Sequence, residues 1–173
     1  MTNSRILALL LAVGLVTLGC ARSVDNPAAE ATTTGNAVTE QQATRQVQAN
    51  IHAAAAQLPP TAQLEQQLTD SVPCGDPTDP VRGGLVTAGS TYQVHNVDPK
   101  QYPQVFDHLR TWWKAHDFRI LDNKHLSTSA MFLSMESNDD GFEMVLQSND
   151  VGGLYLIGSS PCVPPSVTPT PTY

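Results

Sequence analysis

The sequence predicts an α+β domain: an antiparallel sheet of about four to five strands with helices packed on one face. Three features lead there. Two segments open with a helix-capping pattern and continue with apolar residues at helical spacing. Residues 85–97 (LVTAGSTYQVHNV) carry the β-branched content of a long strand. Beyond Asp117, short alternating runs are separated by Asn, Asp and Gly. In chain order this gives a helix, a strand, a helix and about four further strands.

The first helix starts at Thr39, which forms a capping-box pair with Gln42. Val47, Ile51, Ala54, Ala55 and Leu58 follow at helical spacing, and Pro59-Pro60 stops the run. Leu64 and Leu68 suit a further helical turn, with a strand as the alternative. Residues 75–84 (GDPTDPVRGG) are turn-rich and irregular. The second helix has the clearest boundary: Asp98 caps, Pro99 fits the first helical position and Gln101 completes the pattern. Tyr102, Val105, Phe106, Leu109, Trp112 and Trp113 fall on one face of it. Four strand-like runs follow at 118–122, 130–136, 142–147 and 154–158. Their separators are Asn123-Lys124, the Asn138 to Gly141 turn and the Asp150 to Gly153 turn. In the third run Phe142, Met144 and Leu146 point one way and Glu143 and Gln147 the other, as in a sheet with one buried and one wet face.

The 173 residues suit one domain, and 9 Lys+Arg against 16 Asp+Glu give a net charge of −7. An acidic chain without a basic stripe is not a nucleic-acid binder. The amino terminus sets the compartment. Arg5 precedes an apolar run at 6–18 (ILALLLAVGLVTL) and then Gly19-Cys20. A spanning helix needs about 20 apolar residues, so this shorter run reads as the core of an export signal. It resembles bacterial lipoprotein signals, in which the cysteine is lipidated and becomes the new amino terminus. Those signals usually place Leu three positions before the cysteine and a small residue two before it, where this chain has Thr17 and Leu18. The expected organisation is a signal peptide at 1–19, a flexible tether at 20–38 from lipidated Cys20, one domain at 39–163 and a Pro/Thr tail at 164–173. Two acyl chains hold a protein stably on a bilayer. The expected location is therefore outside the cytoplasm, on the outer face of the cell membrane.

Cys20 aside, Cys74 and Cys162 are an even pair in an oxidising compartment, and a disulfide between them is expected. Such a long loop gives a bridge worth about 4–5 kcal/mol in the chain-entropy picture.

The catalytic patterns are missing. The sequence has no Gly-x-Ser-x-Gly elbow, His-Glu-x-x-His, phosphate-binding glycine loop or Cys-x-x-Cys. His52, His95, His108, His116 and His125 are spread over different elements. Asp139, Asp140 and Gly141 suit a hairpin turn better than a calcium loop, which needs further acidic positions. Asp76 and Asp79 read as turn-capping residues. No cofactor, metal or enzymatic activity is expected. Of the tryptophan pair, Trp112 is expected in the core. Trp113, with Met131, Met135 and Met144, is the candidate contact for a ligand or partner, although aromatic stripes at helical spacing usually pack as core.

The layout as a whole resembles small actinobacterial cell-envelope lipoproteins, including the mycobacterial LppA-like group. The shared features are Cys20, Cys74, the Gly141-Phe142-Glu143 strand start, Ser160-Pro161-Cys162 and the Pro/Thr tail. This resemblance implies an envelope lipoprotein and supplies no catalytic residues. The expected role is a non-catalytic binding or adaptor module. It would present its sheet face or a helix groove to an envelope protein, glycan or lipid, with an exposed apolar patch. The alternative is a carrier holding a small apolar or lipid ligand between helix and sheet.

Overall fold

The computed structural model describes residues 38–75, 84–127 and 129–166. The export signal, Cys20, nearly all of the tether, Asp76, Asp79 and most of the tail lie outside the described residues. Helix α1 (Glu40–Ala55) opens as a capping box: the Gln42 N–H donates to Thr39 Oγ1 at 3.3 Å, and the Thr39 N–H to Gln42 Oε1 at 2.9 Å. Its inner face buries Ala43, Val47, Ile51 and Ala54. The second helical segment begins as a 3-10 turn, Pro99–Gln101, whose Lys100 N–H is capped by Asp98. It continues as α2 (Tyr102–Ala115), which buries Tyr102, Val105, Phe106, Leu109 and Trp113.

The sheet has six strands rather than four to five. They are β1 (Gln63–Pro73), β2 (Val86–His95), β3 (Phe118–His125), β4 (Met131–Ser137), β5 (Glu143–Ser148) and β6 (Leu154–Ser159). The order is β1-β2-β6-β5-β4-β3, and every neighbouring pair is antiparallel. The additional strand is β1, where Leu64 and Leu68 suggested a helical turn. Two leucines four apart in an ideal strand share one face. A bulge between Gln66 and Leu68 shifts the parity, so Leu64 pairs with Val94 on the core side and Leu68 with Thr91 on the other. Asn123 and Lys124 are not a turn but part of the bulged edge strand β3, and the reversal falls at 126–130.

Helix α1 packs on β2 and β6, and α2 on β3 and β4. Gly158 allows the first contact: a Cβ there would stand 3.0 Å from Val47 Cγ1. Between helices and sheet, Leu109, Trp113, Leu133, Met135, Met144, Leu146, Leu154 and Leu156 form the fully buried centre. At one end of the sheet the chain enters α1 and leaves after β6. There the Glu40 N–H donates to the Pro164 carbonyl at 3.2 Å. Cys74 and Cys162 are bonded at this end, 88 residues apart in sequence with Cα atoms 6.0 Å apart. Glu143, Val145 and Gln147 of β5, like their neighbours on the other strands, point away from the helices onto a face that no described helix covers.

Candidate functional site

The four side chains expected to touch a ligand or partner do not reach the surface. Trp113, Met131, Met135 and Met144 are core residues, and the last two have 0% of their surface exposed. With no exposed area, neither of these methionines borders a water-sized void, so they line no ligand chamber. The tryptophan roles are reversed. Trp113 lies one turn beyond Leu109 and two beyond Phe106, on the axis of the buried stripe, while Trp112 is half-buried at its flank. Trp112 stacks on His116 with ring centroids 4.2 Å apart, and its carbonyl meets His116 Nδ1 at 2.8 Å.

The expected single apolar patch is also replaced by small groups. Leu68 and Val72 are exposed on β1, and Ile120 and Leu121 on β3 at the opposite edge. Leu126 and Val151 are exposed on two turns that a Ser127–Asp150 hydrogen bond ties together. Among the described residues no three His, Cys, Asp or Glu side chains converge as a metal site would need, and no helix is long and apolar enough to cross a membrane.

Among the described residues a concave feature lies between the helices. Helix α1 stands mainly on β2 and β6, and α2 on β3 and β4. At the end of α1 and the start of α2 this leaves a cleft of about 280 Å³ lined by Gln57, Leu58, Pro59, Gln101, Gln104, Val105 and His108. The two sides are built differently. Pro59 ends the first helical segment and holds Gln57 and Leu58 in its final turn, where the N–H groups of both bond back into the helix. Gln101, at the end of the 3-10 turn, is followed at three- and four-residue spacing by Gln104 and His108 of α2, with Val105 beside Gln104. Leu58 and Val105 are buried, so the floor is apolar and the walls polar. Gln101 caps no backbone group, and the side chains of Gln57, Gln101, Gln104 and His108 make no hydrogen bond among the described residues. A second cleft of about 260 Å³ opens at the other end of α1, between Val38, Gln42, Gln46, Asp140 and Phe142.

Two ionisable groups fix the ends of this arrangement. The Tyr102 hydroxyl donates to the Gly152 carbonyl at 2.6 Å and ties the start of α2 to the turn between β5 and β6. Burial, then the nearby charges of Asp98 and Tyr155, raise its pKa above the ordinary value. At the opposite end the Ser71 hydroxyl and the Ser166 N–H hold the Glu40 carboxyl below its usual range.

The open sheet face is organised otherwise. Three transverse rows cross all six strands. The first runs Glu65, Gln93, Tyr155, Gln147, Phe132, Lys124. The second is Leu68, Thr91, Ile157, Val145, Ser134, Asp122, and the third Asp70, Gly89, Ser159, Glu143, Glu136, Arg119. Every described basic group on this face has an acidic neighbour on it. Arg119 pairs with Glu136, Lys124 with Asp122, and His95 with Glu65 at 2.8 Å. The groove residues escaped sequence reasoning because glutamine carries no catalytic signature. The one signal available was the Gln101, Gln104, His108 flank beside the apolar stripe of α2.

No protein-family model, curated protein or solved structure matches the chain.

Proposed function

We propose that the chain is an exported lipoprotein, held through acylated Cys20 on the outer face of the cell membrane, whose domain is a non-catalytic binding module of the cell envelope. The groove between α1 and α2 is the surface it offers. One observation carries this reading: Gln57, Gln101, Gln104 and His108 converge on one concavity with no partner among the described residues. Polar groups over a partly apolar floor are what a recognition site requires. The described basic groups of the open sheet face, by contrast, already have partners within the fold.

The anchor and the site are tested separately. Cys20→Ser should release the chain into the medium without acyl mass, and retention of that variant in the membrane would refute the anchor. For the site, a photo-crosslinking side chain is placed at Gln104, and in a second variant at Gln147 on the open face. Irradiation in the intact envelope should give discrete adducts from position 104 alone. Adducts from position 147 alone would move the binding surface to the sheet.

A further inference from the structure

We propose that the groove takes a neutral, polyhydroxylated ligand: a run of sugar residues rather than a charged or an aliphatic one. This rests on the groove being the binding surface. The lining residues of the Gln57–His108 cleft include no Asp, Glu, Lys or Arg, so nothing there holds an ionic group by formal charge. The net charge of −7 further disfavours an anion. What the walls do offer is carboxamides. Each presents two donors and one acceptor oxygen on a single planar group. That matches a hydroxyl, which both donates and accepts, and suits the adjacent hydroxyls of a sugar ring. His108 adds a ring nitrogen of either sense. Leu58, Pro59 and Val105 supply an apolar floor for the C–H face of such a ring.

An aliphatic ligand fits the same cleft poorly. Covering Gln57, Gln101 and Gln104 with hydrocarbon would remove their water and leave donors and acceptors unpaired. The cleft of about 280 Å³ is small and open, below the range of about 300–1,000 Å³ for sites that enclose a drug-sized ligand. A chain passing through would fit it better than a compact guest. At the other end of α1 a separate cleft carries two further amides, Gln42 and Gln46, beside Asp140. There Gln46 Nε2 already donates to Asn50 Oδ1 at 2.8 Å, and Asp140 adds an acidic group to the lining.

The test is a side-chain amide NMR titration of the full-length chain with maltohexaose and with cellohexaose. A uronic-acid oligosaccharide and a proline-rich peptide serve as comparison probes. A neutral oligosaccharide should shift the side-chain amides of Gln57, Gln101 and Gln104 and the ring of His108, leaving those of Gln93 and Gln147 on the open face unmoved. Gln104→Ala and His108→Ala, both at exposed positions, should each weaken binding by about tenfold while the remaining spectrum stays native. Shifts confined to Gln93 and Gln147 would overturn the proposal, as would a lack of binding by either neutral oligosaccharide. Tighter binding of the charged oligosaccharide or the peptide in the groove would overturn the ligand class and leave the groove standing. Failure of the groove itself has a different signature, the absence of envelope adducts from position 104.

Discussion

On the open side of the sheet each described basic group faces an acidic neighbour: Arg119 with Glu136, Lys124 with Asp122, His95 with Glu65. On the helix side the groove carries Gln57, Gln101, Gln104 and His108 with no side-chain partner among the described residues. The two surfaces flank one sheet, yet the basic groups of the open face are already paired within the fold while the polar groups of the groove are not. A basic group already paired within the fold gains little from a partner. A concavity lined by unengaged donors and acceptors gains hydrogen bonds when something fills it. A large solvated surface is therefore weaker evidence for recognition than a small, unsatisfied one.

The sharpest way to break this contrast is through the core on which the helix side depends. Trp113→Ala removes a side chain that is 1% exposed and should cost about 3–5 kcal/mol in denaturant unfolding. Reducing the Cys74–Cys162 bond should cost about 4 kcal/mol. Because the bond sits at the end of the sheet away from the Gln57–His108 cleft, the groove amides should keep their chemical shifts in the reduced protein. Phe132→Ala, on the open face and half-buried, should cost about 1–2 kcal/mol. A loss as large as that for Trp113 would mean the open face is packed against something.

Tyr102→Phe deletes the hydroxyl that ties α2 to the Gly152 carbonyl and should cost about 1 kcal/mol at neutral pH. The sign of its pH dependence follows from the raised pKa. The folded protein keeps this proton above the ordinary value of 10.0, while the unfolded chain releases it there. Stability therefore falls as pH rises through about 10. Thermal melts of the two proteins in that range should show a shallower decline for the phenylalanine variant. The smallest effect is expected from Arg119→Ala. It breaks an exposed ion pair on the open face and should change stability by less than about 1 kcal/mol.

Local signals carried much of the architecture in the sequence. Thr39 with Gln42, and Asp98 with Pro99, mark helix starts through groups a few residues apart, so nothing tertiary is needed to read them. The alternation of Phe142, Met144 and Leu146 gave the buried face of β5 for the same reason. Strand β1 was obscured because a bulge breaks the period on which strand recognition relies. The exchange of Trp112 for Trp113 has a similar origin: adjacent residues on a wide stripe differ in burial only once the sheet beneath the helix is in place. The groove could not be read at all. It exists because α1 and α2 settle on different strands, and its lining residues recur as ordinary surface glutamines until that placement brings them together.

The most direct measurement is the rate of maleimide labelling in intact cells of two single variants, Gln104→Cys in the groove and Gln147→Cys on the open face. Each rate is compared with that of the same protein after purification. Bonded Cys74 and Cys162 do not compete for the reagent. The expected result is position 104 slowed several-fold in the cell, with position 147 reacting equally in both settings. Slowing at 147 with free reaction at 104 would contradict the assignment and make the open sheet face the occupied surface.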